Sequence, residues 1–379
     1  MADSSEQDAS EQNSGQQASG LSAEAVAQRV VDASLGLVDV LAIHLGDRLG
    51  WYRQLKAHGP ATPAELAQLS GTSERYTREW LEQQAVTGLL SVDPGPGGDA
   101  DNSARERRFS IPPGTAEALT DERSLNYLAP LARMFAGSAV QLPALLAAYR
   151  TGGGVGWSDF GADARESQSD MNRPWFESEL PVALAGIEHL DLRLRQPGAR
   201  IADIGFGGGW SSIALARAYP DATVEGFDID PASVKLASAN AAHEGVQDRV
   251  VFWEADAKVM PPDTYDAVFA FECIHDMPHP VEVLAAARQS LAPTGTVVVM
   301  DEAVADVFTA PGDELERLMY GFSLLICLPD GMSHPLSTAT GTVMRSDVLH
   351  AYALAAGFAD LRVLPIEDFG FWRFYELLR

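Results

Sequence analysis

The sequence predicts an α/β protein with a doubly wound, mostly parallel sheet in its C-terminal half and a mostly helical N-terminal half. Three observations predict this division. Short apolar strands alternate with helices from Ala199 onward, a glycine-rich loop follows the first of those strands, and apolar residues recur at helical spacing before residue 195. The length of 379 residues suits two or three domains.

Composition and charge argue against several functions. The net charge of −26 opposes binding to nucleic acid or to anionic membranes, because proteins hold phosphate groups with Lys and Arg. No run of about 18 apolar residues is present, so no membrane span is expected. Cys273 and Cys327 lie in apolar surroundings and are predicted to be reduced thiols of a cytoplasmic protein. Residues 1–20 are polar, lack the features of a targeting peptide and are predicted to be a disordered tail.

Residues 21–125 predict a helical winged-helix domain. A first helix carries apolar side chains on one face, at Val26, Val30, Leu37 and Leu41. Thr62 and Glu65 form a capping box that starts a further helix, and this helix should end near Gly71.

A second capped helix is predicted over residues 73–87, with Tyr76, Trp80 and Leu81 facing inward and Gly88 ending it. Two short strands, LLSVD and RRFSI, follow, and a Gly- and Asp-rich stretch joins them. Helix, turn, helix and hairpin in this order are typical of a winged helix. A DNA-binding surface must be basic, but residues 73–87 hold two arginines against three glutamates. We therefore expect a packing or dimerisation module.

Residues 126–195 predict further helices that link the two halves, with a glycine-rich break at TGGGVG. The stretch after that break, WSDFGADARESQSDMNRPWFESEL, is aromatic and polar without clean periodicity. It is interpreted either as the cover of a pocket or as an inter-domain connector.

Strands and helices alternate in residues 196–379. The strands are predicted at 200–204, 223–228, 250–254, 267–271 and 296–300, and the helices at about 210–219, 231–243, 279–291, 313–326 and 345–357. This alternation predicts a parallel sheet with helices on both faces. The last two strands, DLRVLPI and FWRFYEL, have no helix between them and predict a hairpin that adds an antiparallel strand to the edge of the sheet.

The loop after the first of these strands is rich in glycine, and a helix starts directly after it at Trp210. Glycine lets the backbone approach a ligand closely, and the first N–H groups of the helix point at the same place. Trp210 replaces the third glycine of a dinucleotide fingerprint, and the Lys-Ser or Lys-Thr pair of a P-loop is missing. Phosphate is therefore not the expected ligand.

Acidic residues lie at the carboxyl ends of the first three strands, at Asp203, Asp228 and Asp256. Asp228 could accept both hydroxyls of a ribose, and Asp256 could meet the exocyclic amine of an adenine. Each acid alone is more often a surface carboxylate or a helix cap, and Asp230 before Pro231 is typical of a cap. Their shared position at this edge of the sheet favours a binding site.

The motif D-x-G-x-G-x-G at 203–209, the acids Asp228 and Asp256, and LAPTGTVVVMDE at 291–302 resemble class I S-adenosylmethionine-dependent methyltransferases. The resemblance covers about 195–379. It implies a Rossmann-like sheet of seven strands whose last strand is antiparallel, and S-adenosylmethionine as a cofactor that leaves as S-adenosylhomocysteine. Thr294 stands where the family usually has glycine, in a turn away from the ligand edge.

The resemblance also implies roles for individual residues. The glycine loop would cradle the methionine part of the cofactor, Asp203 would lie near its ammonium group, Asp228 would hold the ribose and Asp256 would lie by the adenine. The complete implied cofactor-binding set is Asp203, Gly205, Phe206, Gly207, Gly209, Asp228, Ile229, Asp256, Ala257 and Glu272.

The whole chain is similar to winged-helix methyltransferases, which include small-molecule O-methyltransferases. This resemblance implies a homodimer formed through the N-terminal domain and a small-molecule acceptor, with neither nucleic acid nor membrane as a partner. Methylation at nitrogen or carbon remains open. Two alternatives come from other classes: a ligand-sensing transcriptional regulator that uses the winged helix, and a dinucleotide-dependent oxidoreductase.

His275, followed by Asp276, is similar to the His-Asp pair of winged-helix O-methyltransferases, whose histidine acts as general base on a hydroxyl. Histidine titrates near neutral pH and can remove that proton. A histidine at this loop also occurs in class I methyltransferases that do not use it as a base, and orientation of the acceptor can supply much of the rate. His279 and His334 are weaker candidates.

No catalytic metal is predicted. The acids Asp276, Asp301 and Glu302 invite the idea of a metal site, but they show no octahedral spacing pattern, and acidic residues at strand ends are common.

Overall fold

A computed structural model describes residues 21–93 and 105–379 of the chain. The predicted tail at 1–20 and nearly all of the stretch that joins the two short N-terminal strands lie outside the described residues. The domain boundaries placed at 125/126 and 195/196 remain predictions. Within the described ranges no single helix is both long and apolar enough to cross a bilayer; one pair, Ala129–Val140 with Leu142–Thr151, passes that test jointly, across a bend of 61°.

The N-terminal half is helical. Its helices are α1 (Ala23–Arg48), α2 (Trp51–His58), α3 (Pro63–Ser70), α4 (Glu74–Val86), α5 (Pro113–Thr120), α6 (Ala129–Val140), α7 (Leu142–Thr151), α8 (Trp157–Pro174), α9 (Leu180–Ala185) and α10 (Glu188–Leu194). Between α4 and α5, β1 (Ser91–Asp93) pairs antiparallel with β2 (Arg108–Ser110). The predicted order of helix, turn, helix and hairpin is confirmed.

Local sequence explains where α3 and α4 begin and what they bury. The Thr62 hydroxyl accepts a hydrogen bond from the Glu65 backbone N–H, and the Glu65 carboxylate accepts one from the Thr62 N–H, which is the predicted capping box. Trp80 and Leu81 of α4 are buried as predicted, but the prediction for Tyr76 is wrong, because its side chain is 77% exposed. The buried face of α4 instead includes two polar side chains, Thr77 and Gln84.

The C-terminal half alternates strands and helices. Its strands are β3 (Arg200–Ile204), β4 (Thr223–Asp228), β5 (Val250–Glu254), β6 (Tyr265–Phe271), β7 (Leu291–Glu302), β8 (Asp360–Val363) and β9 (Trp372–Leu378). Its helices are α11 (Trp210–Ala218), α12 (Pro231–His243), α13 (Pro280–Ser290), α14 (Glu314–Phe322), α15 (Leu328–Gly331) and α16 (Ser346–Ala355).

These strands form one seven-stranded sheet in the order β5-β4-β3-β6-β7-β9-β8. Strands β3 to β7 all run parallel to one another, whereas β9 runs antiparallel to both β7 and β8. The predicted doubly wound sheet with an antiparallel strand is confirmed. The antiparallel strand is not the edge strand, however. The largely buried β9 takes the interior position and the mostly exposed β8 forms the edge.

The central strands are apolar on both faces because helices cover both sides of the sheet. Ile201 and Phe269 pack into one core, while their neighbours Ala202 and Val268 pack into the other. This arrangement orients the carboxyl ends of β3 to β7 along one edge, where the loops that follow them meet.

A buried cation joins the N-terminal helices to α8. The guanidinium of Arg133 on α6 lies 3.0 Å from a carboxylate oxygen of Asp47 on α1 and 2.6 Å from one of Asp170 on α8. Arg133 and Asp47 are each only 4% exposed. Arg133 thus ties α1, α6 and α8 at a single side chain, and Asp47 has a second cationic partner in Arg53, at 2.9 Å.

Replacing Arg133 with alanine should lower the free energy of unfolding by about 1.5–3 kcal/mol, because it removes the charged partner of Asp170 and one of the two charged partners of Asp47. Urea denaturation measures the change. Arg75→Ala is the matched control, because Arg75 forms an exposed ion pair with Glu79 on α4. Equal, small losses in both variants would contradict the role of Arg133.

Candidate active site

Three positions of the loop between β3 and α11 have backbone conformations that favour glycine. Gly205, Gly207 and Gly209 have φ values of 66°, 52° and 79°, in the left-handed region. A Cβ atom on Gly205 would lie 2.8 Å from the Cβ of Cys273. A Cβ atom on Gly209 would lie 2.7 Å from that of Ala237 on α12. The loop backbone is therefore packed directly against the segments that follow β6 and β4.

A cavity of about 550 Å³ runs along the carboxyl edge of the sheet. Because the strand order is β5-β4-β3-β6-β7, residues after β5 and β4 lie on one side of the glycine loop and residues after β6 and β7 lie on the other. The predicted site residues that line this cavity are Gly205, Gly207, Asp228, Ile229, Asp256, Ala257, Glu272 and His275.

A smaller cavity of about 70 Å³ adjoins the same loop and is lined by Phe206 and Trp210, with Gly205, Gly207 and Glu272 shared between the two cavities. Gly209 lines neither of them. Its contribution is the tight turn that brings the start of α11 against α12 and β5.

Asp228 fixes the glycine loop to the end of β4. One of its carboxylate oxygens accepts the Gly207 backbone N–H at 3.1 Å, and the other accepts the Asp230 N–H at 2.9 Å. Burial raises the pKa of Asp228 to about 6, against the effect of these backbone donors. Each oxygen accepts one backbone bond and keeps a lone pair that can accept a further hydroxyl from the cavity.

Asp256 and Asp230 both cap helices. The Asp256 carboxylate accepts the Lys258 backbone N–H at 2.9 Å, at the start of a short 3₁₀ turn, and its side chain is half-exposed at the cavity. Asp230 caps α12 as predicted, accepting the Ser233 N–H, and it also binds Arg165 of α8 at 2.6 Å.

Asp203 does not reach either cavity. Its carboxylate is completely buried, and one oxygen accepts the hydroxyls of Ser211 and Ser212, both at 2.6 Å. Burial raises the pKa of Asp203 to about 6. The structure thus places this residue behind the glycine loop, between β3 and α11, rather than beside the space where a ligand ammonium group was expected.

Glu272 connects three distant parts of the chain. Its carboxylate accepts hydrogen bonds from the side-chain amides of Asn172 and Gln168 on α8 and from the indole N–H of Trp372 on β9. Burial raises the pKa of Glu272 to about 7, against the hydrogen bonds from Trp372 and Asn172 and the charge of His275. Sequence reasoning missed the three donors. The one available signal was the polar, aperiodic stretch after the glycine-rich break, which forms α8 and covers the cavity.

His275 is buried between carboxylates on both sides of its ring. Nδ1 lies 2.8 Å from an Asp301 oxygen and 3.3 Å from a Glu302 oxygen, both at the end of β7. Nε2 lies 3.2 Å from an oxygen of Asp276. The side chain is 3% exposed and lines the large cavity.

The charges around His275 reverse the usual effect of burial. Burial alone would lower its pKa, but Asp276, Asp301 and Glu302 outweigh it and hold the pKa well above 6.5. Burial also opposes ionisation of Asp301, yet the charge of His275 keeps the pKa of that carboxyl below its usual range. Burial raises the pKa of Glu302 well above its usual range. The charge of His275 thus favours the ionised form of Asp301, whereas burial favours the protonated form of Glu302.

The half of the cavity beyond His275 is mostly apolar. Its wall is formed by side chains from α6, α8, α14 and the segments around them, namely Met134, Trp157, Met171, Met319, Phe322, Ile326 and Phe371. His279 and His334 also line the cavity. Such a wall accepts a flat or compact apolar molecule and excludes water from the region next to His275.

Among the residues that the structure describes, two groups have the geometry to hold a metal ion, and both contain His275. In each group, His275 with Asp276 and Cys327 or His275 with Asp301 and Glu302, the candidate ligand atoms lie within 4.8 Å of one another. The expectation that catalysis uses no metal stays a prediction.

Family comparisons cover two parts of the chain. Residues 201–295 match a family described as a methyltransferase domain, and residues 37–121 match one described as an Rv2258c-like winged HTH domain. Among curated proteins, the chain is 34% identical over 112 residues to a ubiquinone biosynthesis O-methyltransferase of Xanthomonas campestris pv. campestris, which is 29% of this chain and 46% of that protein. It is 40% identical over 106 residues to the 27-O-demethylrifamycin SV methyltransferase of Amycolatopsis mediterranei, 27% of this chain and 39% of that protein. The chain thus spans less than half the length of these curated relatives.

Solved structures share the fold over nearly the whole chain. Human N-acetylserotonin methyltransferase in complex with SAM matches with a TM-score of 0.69 at 18% identity, over 96% of this chain and 99% of that one. The mitomycin 7-O-methyltransferase MmcR matches with a TM-score of 0.66 at 22% identity, over 94% and 98%. The chain therefore combines a methyltransferase domain of Rossmann-like fold with an N-terminal winged-helix domain, and the resemblance found in the sequence is confirmed.

The raised pKa of Glu272 predicts a pH-dependent stability. Because folding raises this pKa from 4.5 to about 7, the fold favours the protonated carboxyl, and this stabilisation is lost as the pH rises through that window. Glu272→Gln mimics the protonated form at every pH. The unfolding free energy of the variant should exceed that of the wild type by on the order of 1–3 kcal/mol at about pH 8 and match it at about pH 5.

Urea denaturation at both pH values tests this, with Glu254→Gln at an exposed position as the control. Parallel pH profiles for the wild type and Glu272→Gln would show that Glu272 is ionised in the fold without cost.

Proposed function

We propose that the chain transfers a methyl group from S-adenosylmethionine to a hydroxyl oxygen of a small molecule and releases S-adenosylhomocysteine. The observation that carries this proposal is a single cavity that joins the glycine loop and Asp228 at one end to a carboxylate-flanked His275 near the other. The match of residues 201–295 to a methyltransferase domain supports the reaction class.

The residues present at the nucleoside end fit this cofactor. Asp228 retains acceptor capacity on both oxygens for the two hydroxyls of a ribose. Ile229 is 62% exposed and, with buried Ala257, gives the cavity an apolar wall for a purine. Asp256 stands at the rim of the same space, where its carboxylate can accept a hydrogen bond from an exocyclic amine. When bound, the cofactor would supply an electrophilic methyl group on a positively charged sulfur.

The chain's own residues would activate the acceptor. When its ring is neutral, which the raised pKa places at higher pH, His275 donates its Nδ1 hydrogen to Asp301, so Nε2 is the ring atom that can take a proton from the cavity. An acceptor hydroxyl reaches Nε2 by replacing the contact with Asp276, gives its proton to the ring and becomes the nucleophile. Asp301 then stabilises the imidazolium that results. General-base catalysis of this kind contributes roughly 10²–10⁴-fold in rate.

Apolar side chains around His275 would orient the acceptor. Met319 and Phe322 on α14 and Trp157 on α8 face the cavity from two directions. An acceptor molecule held between these side chains can present its hydroxyl in few orientations. Such pre-orientation is worth up to about 7–11 kcal/mol in model reactions. The proposal of oxygen as the methylated atom rests on His275, because an amine that reacts as its free base needs no proton acceptor in this position.

The winged-helix part is proposed to serve dimerisation rather than DNA binding. On α1 the side chains of Val26, Val30, Leu37 and Leu41 are 40–60% exposed, although all four are apolar. Arg75 and Arg78 on α4 each lie beside a glutamate of the same helix, so α4 offers no free basic surface. A second copy of the chain would cover the apolar face of α1.

Both cysteines are buried free thiols, which supports the cytoplasm as the proposed compartment.

Asp228→Ala should weaken binding of S-adenosylhomocysteine by at least about tenfold, because it removes the acceptor of two ribose hydroxyls. Isothermal titration calorimetry measures the dissociation constant. Asp248→Ala, at an exposed position after α12, is the control for the loss of one acidic charge. Unchanged affinity in Asp228→Ala would remove the ribose from this position.

His275→Gln should lower kcat by roughly 10²–10⁴-fold and leave cofactor affinity unchanged, because His275 acts on the acceptor. Since the pKa of His275 is held well above 6.5, wild-type kcat should rise with pH beyond neutrality. Asp276→Asn removes one of the charges that raise this pKa, so its kcat profile should move to lower pH. Equal loss of turnover and cofactor affinity in His275→Gln would make His275 a structural residue.

Val30→Glu should convert the proposed dimer to a monomer in sedimentation equilibrium, because it buries a charge in the interface. Gln28→Glu adds the same charge on the opposite side of α1 and should leave the dimer intact. A wild-type chain that sediments as a monomer would contradict the proposed dimer.

A further inference from the structure

The large cavity carries an unusual balance of charge. Seven acidic residues line it, and among the described lining residues the one lysine or arginine is Lys258. The ammonium group of Lys258 lies 2.6 Å from Glu282, and its position just after β5 places it at the nucleoside end. No arginine or lysine therefore neutralises the acids in the half of the cavity beyond His275.

Asp276 and Asp330 are the acids of that half with space for a ligand. Asp330, in α15, accepts the Trp157 backbone N–H with one oxygen at 2.8 Å, and no hydrogen bond reaches its other oxygen from the described residues. A Cβ atom on Gly331 would lie 3.2 Å from the Asp276 carbonyl oxygen, so the two acidic segments pack directly against each other. Burial, reinforced by the charge of Asp276, raises the pKa of Asp330 to about 7.

A second, independent observation points to a ligand at the same wall. The Thr342 side chain is 1% exposed and lines the cavity, and among the described residues its hydroxyl has no nitrogen or oxygen partner, only the weakly bonding thiol of Cys327. The Gly341 backbone N–H binds the His275 carbonyl oxygen at 3.1 Å, which places Thr342 next to the base. A buried hydroxyl whose one partner is a weak thiol is costly unless a ligand supplies a stronger partner.

We propose that the methyl acceptor carries, besides its reacting hydroxyl, a protonated amine on an apolar or aromatic body, and that Asp330 together with Asp276 binds this amine. The inference rests on the proposed function. The acceptor's oxygen lies at His275 and Thr342, its apolar body lies against Trp157 and the wall contributed by α14, and its ammonium group reaches Asp330.

Electrostatics favour this occupant over a neutral or anionic one. An ammonium group beside Asp330 stabilises the ionised carboxylate that burial and Asp276 otherwise destabilise. It also takes over the contact of Asp276, which frees Nε2 of His275 to accept the hydroxyl proton. A carboxylate-bearing acceptor would instead add a negative charge to a wall that already holds several.

Three phenols of similar size test the proposal: tyramine, 4-propylphenol and 3-(4-hydroxyphenyl)propanoate. They differ in the charge at the end of the same chain. Titration calorimetry on the full chain saturated with S-adenosylhomocysteine should show tyramine binding roughly 10–100-fold more tightly than 4-propylphenol, as expected for a charge-assisted hydrogen bond. The propanoate should bind most weakly.

Asp330→Asn keeps the carbonyl oxygen that accepts the Trp157 N–H but removes the charge. In this variant the preference for tyramine over 4-propylphenol should vanish, with thermal stability retained. Asp347→Asn, on the first turn of α16, is the matched control and should keep the preference. Equal binding of tyramine and 4-propylphenol, a preference that survives in Asp330→Asn, or no binding of any phenol at millimolar concentration would each overturn the inference.

Failure of this inference is distinguishable from failure of the proposed function. If S-adenosylhomocysteine does not bind the folded chain, the methyltransferase proposal fails. If it binds and neutral phenols are methylated as readily as tyramine, only the amine site is overturned. Binding of Zn²⁺ that excludes tyramine and is lost in Cys327→Ser would assign the acidic wall to a metal ion and also overturn the amine site.

Discussion

The candidate site depends on the close packing of a backbone loop that carries almost no side chains. Cys273, from the segment that carries His275, packs against Gly205. Ser169 of α8 packs against Gly208, where an added Cβ atom would lie 1.9 Å from the Ser169 hydroxyl oxygen. Any side chain at these positions would displace one of the two segments. The glycine loop, the segment that carries His275 and helix α8 are therefore fixed relative to one another by the same glycines.

Burial of acids next to this loop gives the site its chemical character. Parallel strands bring their carboxyl ends to one edge, and here those ends carry Asp228, Glu272 and Asp301 in partly or fully dry surroundings. Backbone and amide N–H groups offset part of the desolvation, and the histidine offsets another part. What remains is an environment that stabilises positive charge, which suits a sulfonium group and an imidazolium at the same edge.

Most of the fold could be predicted because its signals are local. Strand alternation, the capping box at Thr62 and the glycine loop each occupy a few consecutive residues, and all were found at or within a few residues of their predicted places. The position of β9 inside the sheet could not be predicted, because pairing of distant strands depends on which strand is more buried. Tyr76 was misplaced because the buried face of α4 includes two polar residues that periodicity alone assigns to solvent.

The site could be predicted only where one segment defines it. His275 and Asp276 are neighbours in sequence, but the partnership of His275 with Asp301 joins β6 to β7 and left no local pattern. Glu272 is 100 positions away from both Asn172 and Trp372, its partners on α8 and β9. Asp203 is the first residue of the motif that predicted a ligand contact. Two serines of α11 instead donate hydrogen bonds to one of its carboxylate oxygens, on the side of the loop away from the cavity.

The two halves of the cavity differ in how they are built, and this difference explains what the chain shares with other proteins. The nucleoside end is made by backbone and acids at the ends of β3, β4 and β5, within the residues that match a methyltransferase domain. The acceptor end takes His275 and Asp276 from within that match, but the rest of its wall is made by side chains of α6, α8, α14 and α15, outside it. Substitution of Trp157, Phe322 or Asp330 would change the wall of the acceptor end without altering any strand of the sheet. Acceptor specificity can therefore change while the cofactor end and the fold remain as they are, which is consistent with a shared fold at about 20% identity.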